Sequence, residues 1–280
     1  MNSLFSEYND GADMNEDDMY QFIRDTVKEF GLKPIKDVGV ISNILRTAGY
    51  RGSAAIEKLQ TFYIRLCQEI KGVDPDKARQ SWVTASGNYF EETIRNFIND
   101  SLNSEGILAV KGDRMRNNPK ASNIVSFLTL KANRRCTQTI TGVWPDSDIV
   151  LLTECSTMRL KAFALLNCKT SDHSRNDAVL FWALALRDNN IKYCLVTQDL
   201  DNRFVKGDDD LQISSLRKKC EAYLDRVFTT NPNTQECTQI RKIDFTSSNG
   251  ADSLLNDLRL WRMDVVPDCI ERPIDEKILE

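Results

Sequence analysis

A single histidine, His173, stands in the 280 residues. That scarcity argues against a zinc centre and against a histidine-based nucleophilic triad. The eight cysteines include no Cys-x-x-Cys pair. Cys155, Cys168 and Cys194 lie in or beside apolar runs and read as small buried residues of a reducing cytosol. No apolar run approaches the roughly 18 residues of a membrane-spanning helix, so no membrane partner is expected. The first twenty residues carry six acids and no Lys or Arg, without the apolar stretch of an export signal, which predicts a cytoplasmic chain. Internal repeats and low-complexity tracts are also absent.

Enough apolar sequence is present, 41% hydrophobic against 28% charged residues, to bury a substantial core in one large domain or one domain with an appendage. The net charge of −4 argues weakly against nucleic acid, but charge is unevenly placed. Residues 104–135 hold seven Lys and Arg (Lys111, Arg114, Arg116, Lys120, Lys131, Arg134, Arg135) against two acids. Local charge governs phosphate contact, so a DNA-binding cleft stays open to the chain, as does a plain solvated face.

Helical spacing of Met19, Phe22, Ile23, Val27 and Phe30 predicts a helix from Asn15 to about Gly31, after an acidic tail over 1–12. Further helices are expected over 35–48 and 53–71. Gly72-Val73-Asp74-Pro75 reads as a linker, dividing a helical subdomain (1–75) from a larger catalytic domain (76–280). A long helix follows over about 77–102. Glu91 shares a flank with Gly87, Ile94 and Ile98, whereas Glu92 points away. A carboxylate on an apolar flank needs a partner, because burying an unpaired charge is costly. Strands are predicted at 107–110, 147–153, 160–168 and 191–196, with another short element at 126–130. Ala178–Leu186 is apolar all round and reads as a deeply buried helix linking two parallel strands. Gly207–Asp210 reads as a loop, and helices near 211–224 and 253–261 close the chain.

The most informative stretch is Trp144–Lys169. Asp146 and Asp148 precede one short apolar run, and Lys169 ends the next. Two adjacent strands would bring acids and lysine to one sheet edge. That set suits metal-assisted phosphodiester hydrolysis: carboxylates hold Mg2+, the ion activates a water, and an ammonium orients that water or offsets growing charge.

Pro145-Asp146 followed by Lys169 resembles the PD-(D/E)XK nuclease signature. Cys168-Lys169-Thr170-Ser171, Arg175 and Phe181-Trp182 are similar to type II restriction endonucleases, over roughly residues 80–200. The resemblance implies an α/β fold with a mixed central sheet flanked by helices. It implies sequence-specific, Mg2+-dependent cleavage of double-stranded DNA in a prokaryotic cytoplasm, by a homodimer reading a palindrome. Asp146 and Asp148 would bind the metal, and Lys169 would position or activate the water. The family's second acid stands two residues before the lysine, where this chain has Asn167, a poor Mg2+ ligand. Gly87-x-x-Phe90-Glu91 resembles a helix that precedes the catalytic sheet in related nucleases, which makes Glu91 the replacement acid, ahead of Glu154. By position, Asp172, His173, Arg175 and Asn176 would face DNA. Relatives that read CCGG or CCNGG-like sites carry an Arg-(Asp/Glu)-Arg triplet, but here His173-Ser174-Arg175 matches it only at Arg175. Arginine suits guanine and asparagine adenine. Two other readings stay open: a structure-specific repair or recombination nuclease, and a DNA-binding protein without catalysis, which Asn167 would favour.

Overall fold

The computed structural model describes residues 15–33, 37–47, 52–131, 142–170, 176–205, 213–245, 249–275 and 277. The expected acidic tail, the 207–210 loop, Arg134, Arg135, Asp172, His173 and Arg175 lie outside these residues. Two compact units divide at Tyr89/Phe90, within a helix, whereas the sequence suggests a change at 75/76.

The first unit is helical: α1 (Glu16–Glu29), α2 (Val38–Thr47), α3 (Gly52–Lys71) and the first half of α4 (Pro75–Leu102). The Asn15 side chain caps α1 by accepting from the Asp18 N–H at 2.9 Å. Met19, Ile23 and Val27 then fall on one buried stripe, packed with Ile41, Leu45, Phe62, Tyr63 and Trp82. Gly72–Pro75 is the turn into α4. The Asp74 carboxylate accepts from the Asp76 N–H at 2.9 Å there, and Pro75 sits where a helix has a spare N–H position.

The second unit is a three-layer α/β sandwich. Its elements in order are β1 (Leu108–Lys111), α5 (Gly112–Arg116), α6 (Ser122–Leu128), β2 (Leu130–Lys131), β3 (Gly142–Val143), β4 (Ile149–Glu154), β5 (Leu160–Lys169), α7 (Asn176–Leu186), β6 (Lys192–Thr197), α8 (Ser215–Tyr223), β7 (Arg226–Thr229), β8 (Ile240–Lys242) and α9 (Asp252–Val265). The sheet order is β1-β4-β5-β6-β7-β8, while β2 and β3 form a separate ladder. β1, β4 and β5 pair antiparallel; β5 through β8 run parallel. The expected mixed sheet is therefore present. β4 is buried at every position because helices cover both faces. One face packs on α5, α6, α7 and α8, through Met115, Ile124, Val179 and Leu216. The other packs on the second half of α4 and on α9, through Ile94, Ile98, Leu254 and Leu258. A register shift between Leu151 and Leu152 adds one residue to β5.

The structure revises or extends these expectations in three places. The element at 126–130 is mostly helix, the end of α6, with β2 beginning only at Leu130. The helix α7 is not buried all round: Phe181 is 54% and Leu184 47% exposed, since only one side meets the sheet. Two short strands, β7 and β8, went unread. Among the described residues, no helix is long and apolar enough to cross a membrane.

Arg259 on α9 makes a two-point ion pair with Glu105 at 2.7 and 2.7 Å. Arg259 holds the Glu105 carboxyl below the usual carboxylate range. A depressed carboxylate stabilises the fold fully above its unfolded value and loses that contribution as pH falls through the folded one. Glu105→Gln should therefore lower the melting temperature at pH 7 and leave it nearly unchanged at pH 3. Calorimetry at the two pH values checks this.

Candidate active site

The antiparallel register of β4 and β5 sets Ile149 opposite Leu166. Residues just before β4 thus meet residues at the end of β5. The Asp148 backbone N–H donates to the Leu166 carbonyl at 3.1 Å. Its carboxylate accepts from the Cys168 backbone N–H at 2.6 Å and from the Lys169 ammonium at 3.3 Å. Burial raises the Asp148 pKa, and Lys169 and the Cys168 N–H only partly offset it.

Glu91 reaches the same place from α4. It is half-buried on the flank of Ile94 and Ile98. Its pKa is pushed up to about 7, first by burial and then by the Asp148 carboxylate, while Lys169 and Lys111 pull it down. Glu92 points elsewhere, to Arg95 at 2.6 Å and Lys111 at 2.8 Å. Burial raises its pKa, but those cations outweigh burial and hold it at about 2. Glu91, Asp148 and Lys169 are therefore together.

Asp146 enters through its backbone. Its carbonyl accepts from the Asn167 amide at 2.8 Å and from the Tyr193 hydroxyl at 2.6 Å. This accounts physically for the departure at Asn167. Fully buried, the side chain donates to the loop that presents the acids, which a carboxylate could not do. Among the described residues its Oδ1 has no hydrogen-bond partner. Asn167→Asp would set a carboxylate against the Asp146 carbonyl, at a cost of about 1–3 kcal/mol or more. The expected result is a lower melting temperature and no gain in cleavage, measured on the purified variant.

Glu154 does not join this cluster. It lies at the other end of β4, opposite Leu160, and accepts from Arg272 at 2.8 and 2.7 Å. Asn176 begins α7.

Two contributors escaped the sequence reading. Tyr193, on β6, could have been suspected only as a hydroxyl in an apolar strand. Gly112 donates its N–H to the Asp148 carbonyl at 2.9 Å. A Cβ there would lie 1.9 Å from the Ser147 carbonyl oxygen, so only glycine lets α5 approach the acid loop. Beyond α5, Arg116, Asn117, Asn118, Ser122 and Ser126 line an open cavity of about 460 Å3.

The cluster suits a hard divalent cation in kind: two carboxylates resist ionising beside each other, and a positive charge would relieve both. Among the described residues, no group of three or more His, Cys, Asp or Glu is arranged to hold a metal. Glu91 and Asp148 could supply two carboxylates, with other positions left for further ligands, water and phosphate oxygens.

Residues 129–251 match the family model described as BsaWI restriction endonuclease type 2. No curated protein sequence matches the chain. Among solved structures, the chain resembles the specific restriction endonuclease AgeI in complex with DNA, at a TM-score of 0.60 and 16% identity, covering 89% of this chain and 93% of that one. The pre-specific BsaWI–DNA complex fits at a TM-score of 0.43 and 15% identity, with 89% and 90% coverage. The AgeI likeness gives the fold. The family match, over residues 129–251, makes that part of the chain similar to type II restriction endonucleases.

Proposed function

We propose that the chain cleaves both strands of a specific double-stranded DNA sequence by Mg2+-assisted hydrolysis. The observation that carries this reading is the meeting of Glu91, Asp148 and Lys169 at one sheet edge. Asp148 and Glu91 would hold the ion, with Asp146 beside them on the same loop. When bound, Mg2+ would polarise the phosphate and lower the pKa of a water. Lys169 donates towards that water or a phosphate oxygen, offsetting charge that grows as the P–O ester bond breaks. Asn167, Tyr193 and Gly112 keep the acid loop in place.

Asp172, His173 and Arg175 follow Lys169 in the sequence and Asn176 begins α7; we assign these four to base contact, Arg175 to guanine. The donors around the cavity beyond α5 suit DNA phosphates. A palindromic target read by two-fold symmetric halves calls for a homodimer. The experiment is incubation of pure protein with unmethylated phage DNA and Mg2+. Discrete fragments that vanish for Lys169→Ala support the proposal. A smear, or no cleavage across a range of salt, contradicts it. Binding without cleavage would favour a DNA-binding protein that has lost catalysis.

A further inference from the structure

Far from the Asp148 end of β4, Cys155 and Cys269 face each other across an isolated antiparallel bridge. The hydrogen bonds flanking them come from their neighbours: Ile270 N–H to the Glu154 carbonyl and Ser156 N–H to the Asp268 carbonyl, each at 2.8 Å. The two cysteines are therefore a non-hydrogen-bonded pair. Such pairs hold their α-carbons about 4.5 Å apart with side chains on one face. That lies within the roughly 4.4–6.8 Å that a disulfide spans. Both side chains belong to the same face of the sheet: Cys155 is part of the core beneath α4 and α9, and Cys269 packs against it. Both are free thiols.

We propose that Cys155 and Cys269 form a site of reversible oxidation, closed to an intramolecular disulfide by a low-molecular-weight disulfide. Cys269 is the entry point, being partly exposed while Cys155 is buried. Its thiolate attacks one sulfur of the small disulfide and releases one thiolate. Cys155 then attacks the Cys269 sulfur of the mixed disulfide and expels the second thiolate. Two protein thiols are oxidised, the small disulfide is reduced to two thiols, and the cysteine protons pass to the departing sulfurs. The Thr157 hydroxyl, 3.0 Å from the Cys155 sulfur, lowers that thiol's pKa and supports the second attack. The bond ties the end of β4 to the segment after α9, closing a long loop of chain, and so raises thermal stability. The cluster at Asp148 lies at the opposite end of β4 and is left unchanged.

The test treats the full chain with oxidised glutathione, then digests it under non-reducing conditions for mass spectrometry. The proposal predicts a linked Cys155–Cys269 peptide and a rise in melting temperature on the order of 5 °C, reversed by dithiothreitol. It predicts no such rise in Cys269→Ser or in Cys155→Ala. Glutathione retained on Cys269 without the linked peptide would overturn the proposal. So would a stability rise that persists in Cys269→Ser. The peptide map of the unaltered chain decides even if a variant fails to fold.

Discussion

Lys169→Ala and Glu91→Gln should each lower the rate of DNA cleavage by about a hundredfold or more while the fold persists. Lys169 ends β5, its side chain mostly buried, with its ammonium 3.3 Å from an Asp148 oxygen. Removing it takes away the positive charge bonded to the Asp148 carboxylate. Glu91→Gln keeps the shape of the side chain but removes a charge. It also makes a second prediction with the opposite sign. The Glu91 carboxyl sits at about 7 in the fold against an ordinary 4.5. Between those values the unfolded chain releases a proton that the folded chain retains. Stability therefore falls as pH rises through that window, and the loss is complete above it. With metal removed by a chelator, Glu91→Gln should melt a few degrees higher than the parent at pH 8 and about the same at pH 4. Calorimetry at both pH values, beside a cleavage assay with Mg2+, reads the two effects together. An equal change in melting temperature at both pH values would mean that Glu91 is not crowded against Asp148.

Gly112→Ala is the second large effect expected. The added methyl would sit 1.9 Å from the Ser147 carbonyl oxygen and 3.0 Å from its carbon. Both are backbone atoms, so no side-chain rotation relieves the clash. The strand cannot back away without losing the 2.9 Å bond from the Gly112 N–H to the Asp148 carbonyl. Strain of this kind costs about 1–3 kcal/mol. The functional loss should be larger, since misplacing a reacting group by about 1 Å can cost a hundredfold in rate. The check is a cleavage rate measured well below the variant's melting temperature. Near-normal cleavage would show that the acid loop tolerates displacement.

The sequence exposes this site unevenly, for physical reasons. Ile149–Leu152 and Ala162–Leu166 are legible as strands because burial on both faces leaves a continuous apolar run. Glu91 is legible because a carboxylate in register with Ile94 and Ile98 breaks an apolar flank. The strands β7 and β8 are four and three residues long and mix charge with apolar residues, too short for a periodic signal. Nothing in the all-apolar face of α7 says which side meets the sheet, so the exposure of Phe181 and Leu184 has no sequence mark. Glu154 reads as a spare acid until its partner is seen, an arginine 118 positions away. Asn167 reads as a defect in a motif, yet its amide is needed as a donor to the Asp146 carbonyl. Backbone donors and close approaches are set by the tertiary fold, and residue types do not announce them.

The central claim concerns where a divalent ion sits. Crystals of the protein with Mn2+ and an uncleaved duplex, recorded with anomalous scattering, would locate it. One peak bonded to carboxylate oxygens of both Glu91 and Asp148, with the Lys169 ammonium beside the nearest phosphate, is the predicted result. A peak bonded to neither carboxylate, or a DNA-bound structure with no peak at this edge of the sheet, would contradict it.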